Sequence, residues 1–136
     1  MKLPALAWDE GLARIAEAHS RDMAKRGYVG HKSPEGNGFP FRYRRAGYSC
    51  GIRRGRTVHR GAENIALGSL FASVTTVNGV AYYDWNSVDA LARRAVEGWM
   101  NSPGHRRNIL TPYWRNEGIG VAIGADNRVY ITQNFC

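Results

Sequence analysis

Residues 98–110 read GWMNSPGHRRNIL, and this stretch predicts a boundary between two helices. Ser102 is a preferred N-cap residue and Pro103 a preferred first helical residue, so a short new helix is expected to begin there. His105 then falls in the first turn of that helix. Its ring either fills the turn or is directed by the turn towards a functional site.

The segments on both sides of this boundary predict regular structure. Residues 119–123 and 129–135 have the composition of two strands joined by a tight turn at 124–128. Residues 87–101 have the apolar spacing of an amphipathic helix that Ser87 caps. Its predicted buried stripe is Val88, Leu91, Ala92, Ala95 and Trp99.

The first half of the chain predicts one long helix, a loop and a hairpin. Asp9 is a suitable N-cap for a helix over 9–26, which Gly27 ends. Residues 28–62 read as a loop with a short helix near 39–46, and Asn78-Gly79 marks a hairpin over 73–85. The order helix, loop, hairpin, helix, hairpin predicts an α+β fold with an antiparallel sheet. The predicted buried stripe of the first helix is Leu12, Ile15, Ala16, His19 and Met23.

Length and composition indicate one compact domain over residues 1–136. The chain is 43% hydrophobic, which suffices for a core at this size. No run of 18 apolar residues is present, so no transmembrane segment is expected. Trp8, Asp9 and Glu10 interrupt the N-terminal residues, so we expect no signal peptide in this chain.

The net charge of +8 comes mainly from one segment. Residues 36–62 contain no acidic residue and hold the basic patch: Arg42, Arg44, Arg45, Arg53, Arg54, Arg56 and Arg60. Such a patch favours anionic partners. The aromatic side chains that interleave it either stack with the arginines against an anionic sugar or lipid headgroup, or belong to the core. These are Phe39, Phe41, Tyr43 and Tyr48.

Two cysteines, Cys50 and Cys136, permit one internal disulfide or two free thiols. A bridge across this loop would stabilise the fold by about 4–5 kcal/mol through loss of chain entropy in the unfolded state. Two cysteines are too few for a zinc site made of thiolates.

The four histidines differ in their sequence environments. His19 lies on the apolar stripe of the first helix and is expected to be a hydrogen-bonded core residue. His59 stands among arginines and is expected to be solvated. His31 and His105 each follow a glycine where a loop meets regular structure, a position from which a ring can project into a cleft. Glu63 is a carboxylate directly after the basic patch.

Five segments, in this order, resemble the superfamily of cysteine-rich secretory proteins, antigen five and pathogenesis-related proteins (the CAP or SCP domain). They are AHSRDMA at 18–24, GHKSPEG at 30–36, AENIA at 62–66, GWMNSPGHRRNIL at 98–110 and YITQNF at 130–135. The SPGHRRNIL run is most similar to the prokaryotic branch of this superfamily. The resemblance implies an α-β-α sandwich with a central antiparallel sheet flanked by helices, and a chain that lacks the first part of its N-terminal helix.

The resemblance also implies a cleft that presents two histidines and two glutamates. His31 and His105 match the two histidines and Glu63 matches the first glutamate. Ser102 stands at the position of the second glutamate, so the set of four is incomplete, and Glu97 is expected to point elsewhere. Asn64 and Ser33 are further candidates for the cleft.

This set of residues suits a divalent metal, with zinc as the first choice. His31 and His105 would bind it as neutral imidazoles. Glu63 would act as a third ligand, orient a histidine or accept a proton from metal-bound water. Loss of one carboxylate should weaken the site. We assign no catalytic residue. If the site were catalytic, Glu63 would be the candidate.

The sequence thus predicts a secreted or extracytoplasmic binding protein without catalytic activity, monomeric or weakly dimeric. Its expected partners are an anionic glycan, a cell-wall polymer or a lipid, and no nucleic acid. The alternative is a metal-dependent, peptidase-like hydrolase that uses His31, His105 and Glu63. We expect the hairpin at 73–85 to fringe the cleft and to influence the choice of ligand.

Overall fold

The computed structural model describes residues 2–136 and contains four helices and eight strands in that range. The helices are α1 (Glu10–Arg26), α2 (Phe39–Arg45), α3 (Val88–Met100) and α4 (Pro103–Leu110). The strands of the first half are β1 (Ala7–Trp8), β2 (Ile52–Arg54), β3 (Thr57–His59) and β4 (Ala62–Ser69). The remaining strands are β5 (Phe71–Val77), β6 (Val80–Trp85), β7 (Asn116–Ile123) and β8 (Arg128–Phe135).

The architecture is the predicted α-β-α sandwich around a four-stranded sheet of order β1-β7-β8-β4. Helix α1 packs on one face, against β7 and β8, and α3 and α4 pack against β4 on the other side. Strands β7, β8 and β4 are antiparallel, as expected, but β1 pairs with β7 in parallel, so the sheet is mixed. Strand β4 is an edge of this sheet.

Helix α1 lies unusually close to β7 because that strand carries two glycines. A Cβ atom added to Gly118 would overlap the backbone nitrogen of Ala13, and one added to Gly120 would overlap that of Glu17. The Ser20 hydroxyl, on the same face of α1, donates to the Gly120 carbonyl at 2.9 Å. Only glycine permits this approach of two backbones.

The predicted caps of α1 and α3 form. Asp9 caps α1 by accepting a hydrogen bond from the Leu12 amide at 3.1 Å, and Gly27 ends it in the left-handed conformation. Ser87 caps α3 in the same way through the Ala90 amide at 3.0 Å. The predicted stripe of α1 is buried throughout.

The predicted stripe of α3 is only partly correct. Trp99 is buried and its indole donates to the Ile65 carbonyl of β4 at 2.9 Å, which joins helix and sheet edge. Leu91 and Ala95 are partly buried beside it. Val88 and Ala92 are exposed, because α3 packs mainly on β4 and α4 and therefore buries a narrow stripe.

The long loop predicted over 28–62 contains α2, as expected, and also the short hairpin β2–β3, which the sequence analysis missed. The loop is anchored by a disulfide between Cys50 and Cys136, whose Cα atoms lie 5.7 Å apart. Tyr43 is buried beside this bridge and donates to the Phe135 carbonyl at 2.9 Å. The disulfide thus connects the loop to the end of the central strand β8.

The aromatic residues of the loop belong to the core and do not form an exposed array with the arginines. The ring of Tyr43 lies 5.4 Å from that of Phe39 and 5.5 Å from that of Tyr48, and Phe41 is partly buried. The sequence left two alternatives for these aromatic residues, stacking with the arginines at the surface or packing in the core, and the structure shows packing in the core.

Among residues 2–136, no helix combines the length and the apolar composition that crossing a bilayer would require.

The close contact of α1 with β7 predicts that Gly120→Ala destabilises the fold by about 3 kcal/mol, since the new methyl group forces the two backbones apart. The matched control is Gly98→Ala in α3, where an added Cβ meets no atom within 4 Å. That change should be neutral or slightly stabilising, because alanine favours a helix. Urea unfolding measures both variants, and equal stability of Gly120→Ala and the wild type would contradict the prediction.

Candidate functional site

Glu63 is a buried carboxylate at the centre of the site. It lies on β4 opposite Asn134 of β8, and its side chain is 0% exposed. Its Oε1 accepts a hydrogen bond from Nδ1 of His31 at 2.9 Å. Its Oε2 accepts from Nη2 of Arg42 at 2.5 Å and from Nδ2 of Asn134 at 2.9 Å. Both oxygens are therefore occupied by donors.

These donors decide the protonation of Glu63. Burial by itself raises the pKa of the carboxyl group. The hydrogen bond from His31, the charge of Arg42 and the hydrogen bonds from Asn134 and Arg42 outweigh burial, so the pKa lies below its ordinary value. Glu63 is thus a stable anion, which suits a group that orients its neighbours.

Arg42 was predicted as part of the basic patch, but it points inward. Its side chain is only 14% exposed and pairs with Glu63. Its Nη1 donates to the carbonyls of His31 at 3.0 Å and Asn37 at 3.3 Å. Arg42 therefore fixes the backbone of the loop that carries His31, while Arg44, Arg45, Arg53, Arg54, Arg56 and Arg60 are exposed.

His31 is held in one tautomer with one free ring nitrogen. A carboxylate only accepts hydrogen bonds, so Nδ1 of His31 carries the proton and Nε2 is left for a ligand. The side chain is 54% exposed. A carboxylate behind a histidine in this way is the usual support of a metal-binding imidazole.

His19 contributes to the same loop from α1. It is buried, as predicted, and its Nε2 donates to the carbonyl of Gly30 at 2.8 Å, directly before His31. Burial and the charge of Arg42 lower the pKa of His19. This histidine is neutral and acts as a support for the His31 loop, a role its place on the apolar stripe did not reveal.

His105 is oriented by a hydroxyl group instead of a carboxylate. Its Nδ1 shares a hydrogen bond of 2.8 Å with the Ser102 hydroxyl, which therefore does not cap α4. Ser102 thus holds His105 as Glu63 holds His31. The predicted first-turn position of His105 is correct.

Asn64 connects His105 to the sheet. It is fully buried, and its Nδ2 donates to the carbonyl of His105 at 3.2 Å and to Oε1 of Gln133 at 3.1 Å. Its Oδ1 accepts from Nδ2 of Asn108 at 2.8 Å. Asn64 is therefore a structural support of α4 and not an open surface of the cleft.

Ser33 does not line the cleft with the histidines. Its amide donates to the Asn37 carbonyl at 2.9 Å and its hydroxyl accepts from the Asn37 amide at 3.3 Å. These bonds close a local turn, because a Ser-Pro sequence favours such caps.

The side chains of Glu63 and Asn64 point to opposite faces of β4. Side chains alternate along a strand, so Glu63 faces the α1 layer with His31, and Asn64 faces the α4 layer with His105. Within residues 2–136, no three His, Cys, Asp or Glu side chains are grouped so as to hold a metal ion. The structure therefore brings His31 and Glu63 together but does not add His105 to a common three-ligand group.

An open cavity of about 640 Å³ lies between β4, α3 and the start of β8. Ser102 and His105 stand in its wall, whereas His31, Glu63 and Glu97 do not. The hairpin reaches the cavity only through its base, Ser69 and Asn86. The lining of the cavity is largely apolar and also contains two basic side chains and one acidic side chain. The apolar residues include Ile65, Leu67, Leu91, Trp99 and Ile131, and the charged residues are Arg94, Arg128 and Asp126.

A second groove, of about 490 Å³, carries part of the basic patch. Arg53, Arg54 and Arg115 line it, together with Tyr113, and no acidic side chain among residues 2–136 does so. The guanidinium carbon of Arg54 lies 5.6 Å from the centre of the Tyr113 ring. His59, expected to be solvated, instead stacks on Tyr113 with ring centres 4.4 Å apart.

The ion pair predicts that Glu63→Gln destabilises the protein by about 3 kcal/mol at pH 7, because the substitution leaves Arg42 without its counter-charge. The folded-state pKa of Glu63 lies below the unfolded value of about 4.3, so its contribution is present above that pH and is lost as the pH falls through the folded pKa. The difference between wild type and variant in urea unfolding should therefore shrink as the pH falls below about 4.3.

The control is Arg42→Met in the Glu63→Gln background. Removing both charges should cost less than the sum of the two single changes. Additive costs, or a difference that does not depend on pH, would show that the ion pair has no such role.

Comparison with known proteins identifies the family to which this chain belongs. The family model described as "CAP: Cysteine-rich secretory protein family" matches residues 1–135. The chain is 32% identical over 134 residues to the uncharacterized membrane protein YlbC of Bacillus subtilis (strain 168), covering 98% of this chain and 29% of that protein. It is 33% identical over 118 residues to the uncharacterized protein YkwD of the same organism, covering 87% and 35%. The chain thus spans about a third of the length of these relatives.

Solved structures show the same fold. An extracellular protein containing an SCP domain from Bacillus anthracis str. Ames superposes with a TM-score of 0.64 at 31% identity, covering 98% of this chain and 34% of that one. An outer surface protein from Borrelia burgdorferi superposes with a TM-score of 0.69 at 17% identity, covering 98% of this chain and 77% of that one. NaASP2, solved with Zn²⁺, gives 0.57 at 15% identity, covering 98% and 60%. The family match over almost the whole chain, together with the shared sandwich, shows that this chain belongs to the cysteine-rich secretory protein (CAP) family.

Proposed function

We propose that this chain is an extracytoplasmic binding protein that recognises an anionic glycan or cell-wall polymer through the groove of Arg53, Arg54 and Arg115. The observation that carries the proposal is the composition of that groove: three arginines beside a half-buried tyrosine, with no acidic side chain in the lining among residues 2–136. Guanidinium groups pair with carboxylate, sulfate or phosphate in a bidentate manner.

Two observations support the location. The disulfide Cys50–Cys136 is of the kind that persists in oxidising compartments. The relative of known structure at 31% identity is described as an extracellular protein.

The surface around the groove strengthens its attraction for a polymer. Arg56 and Arg60 are exposed on or next to the same β2–β3 hairpin, and Arg44 and Arg45 are exposed at the end of α2. The positive φ of 63° at Gly55 makes the tight turn between β2 and β3, which brings the arginines on its two sides together. A repeating anionic chain contacts several of these charges at once, so its affinity should depend steeply on salt.

We also propose that His31 and His105 bind a divalent metal weakly, with zinc as the first choice. Glu63 does not fit as a ligand, since both of its oxygens accept other hydrogen bonds. The histidines fit, because each is held through Nδ1 by a neighbour and leaves Nε2 for a metal. Zinc bound there would supply a Lewis acid that attracts an anionic ligand group.

No observation favours the hydrolase alternative. A general base needs a carboxylate free to take a proton, whereas Glu63 is held in an ion pair with Arg42 and accepts the hydrogen bond that orients His31. We therefore propose no catalytic residue.

The groove predicts salt-dependent binding to heparin, used as a soluble acidic glycan. Replacing Arg53, Arg54 and Arg56 by Ser should weaken binding at low salt by about tenfold or more. It should also reduce the slope of log affinity against log salt concentration by about two to three, because fewer counterions are released. Fluorescence titration at several salt concentrations measures both. The matched control replaces the exposed Lys25 and Arg93 together with Arg21, which removes the same charge elsewhere. An equal loss in both variants would reduce the effect to net charge and reject the groove.

The histidines predict zinc binding that His31→Ala and His105→Ala each abolish. Calorimetric titration with zinc near neutral pH measures it, and His59→Ala is the control because that ring stacks on Tyr113 and is not part of the proposed ligand pair. Unchanged zinc affinity in either site variant would remove the proposed pair of ligands.

A further inference from the structure

The hairpin β5–β6 projects from the end of β4 and packs on no other element extensively among residues 2–136. It is fixed at its base, where Nδ2 of Asn86 donates to the Ser69 carbonyl at 2.8 Å and the Asn86 amide to the Leu70 carbonyl at 2.8 Å. An isolated two-stranded hairpin is only marginally stable in water. The large apolar side chains of this hairpin are exposed, so the described part of the chain leaves its surface uncovered.

Both faces of the hairpin carry large apolar side chains. Alternation along β6 puts Tyr83 and Trp85 on one face, with Val74 paired opposite Tyr83. The rings of Phe71, Tyr83 and Trp85 contact one another with centres 4.5–6.5 Å apart. The other face carries Tyr82 together with the pair Val77 and Val80. The exposed fractions reach 59% at Tyr82 and 62% at Trp85.

The distribution of these residues along the hairpin is layered. Val77 and Val80 flank the turn at the tip, and the tyrosines and Trp85 follow towards the base. Arg128 lies at the base, paired in the sheet with Ser69, and Arg94 lines the cavity that the base adjoins. Between residues 70 and 86 the only charged residue is Asp84.

A lipid surface accounts for this layering better than a protein partner does. A protein that docks on a sheet covers one face and leaves the other to water, whereas a bilayer interface surrounds a hairpin on both faces. Tryptophan and tyrosine favour the headgroup region, aliphatic side chains favour the adjoining acyl region, and arginines meet lipid phosphates. Near the base of the hairpin, Arg94 and Arg128 are exposed and supply positive charge, although Arg128 also lies 3.6 Å from Asp126.

We propose that the β5–β6 hairpin is a docking element that enters the interface of an anionic lipid bilayer, tip first. Entry is shallow, because the free edges of β5 and β6 carry backbone groups that need hydrogen-bond partners, and these are supplied by water and headgroups only in the interface. This surface is separate from the basic groove, which adjoins β2 and β3, before the start of β4. The proposal does not depend on the proposed glycan binding.

The experiment measures partition of the whole chain into vesicles of phosphatidylglycerol and phosphatidylcholine by sedimentation. The double variant Val77→Ser/Val80→Ser should partition into the vesicles about tenfold more weakly than the wild type, because buried apolar area drives interfacial binding. The matched control is Val29→Ser/Val96→Ser, which replaces valines of equal exposure (52% and 51%, against 50% and 53% in the hairpin). The control should partition like the wild type. Equal partition of the two variants would overturn the proposal.

A second measurement does not depend on the stability of the hairpin. Lipids brominated on their acyl chains should quench the tryptophan emission of the bound wild type, and Trp85→Phe, which keeps an aromatic ring and vesicle binding, should lose this quenching. Quenching that persists in Trp85→Phe would place another tryptophan in the bilayer and overturn the proposal.

Two further outcomes would also overturn it. Trp85 emission that becomes protected with rising protein concentration, without vesicles, would show that a second copy covers the hairpin. Loss of partition on neutralising Arg53, Arg54 and Arg56, with none on changing the hairpin, would assign lipid contact to the basic groove instead.

Discussion

The buried ion pair between Arg42 and Glu63 is the interaction on which the arrangement of the site depends. A carboxylate without solvent exposure is costly unless donors surround it, and Glu63 has three: His31, Arg42 and Asn134. Because these residues come from the loop after α1, from α2 and from β8, one side chain joins three parts of the chain. A buried carboxylate that keeps its charge and accepts a hydrogen bond from Nδ1 of His31 orients that histidine.

The charged and the apolar surfaces lie at opposite ends of β4. The basic groove adjoins β2 and β3, which precede the strand, and the aromatic hairpin follows it. Arginines and exposed apolar residues are thus segregated along the molecule. An extended anionic ligand and a lipid surface would meet different parts of the protein, which leaves the open cavity along β4 and α3 between them.

Local sequence signals determined the helices and turns of this protein. Asp9, Gly27, Ser87 and the Asn78-Gly79 turn act through their own backbone and nearest neighbours, so their effects can be read from a short window. The order of five segments also predicted the α-β-α sandwich and a shared site for His31, His105 and Glu63, of which the structure shows the contact between His31 and Glu63. A family pattern encodes such long-range pairing indirectly.

Only the tertiary structure decided the features that depend on distant partners. The arginine at position 42 differs from its neighbours in the patch because the register of β4 against β8 places Glu63 within its reach. The pairing of the two cysteines, the parallel strand β1 and the narrow buried stripe of α3 likewise follow from how separate elements meet. The different supports of His31 and His105 have the same origin. The alternation of side chains along a strand sends Glu63 and Asn64 to opposite faces, so Glu63 holds the His31 ring while Asn64 holds the backbone of His105, and no local pattern specifies these pairings.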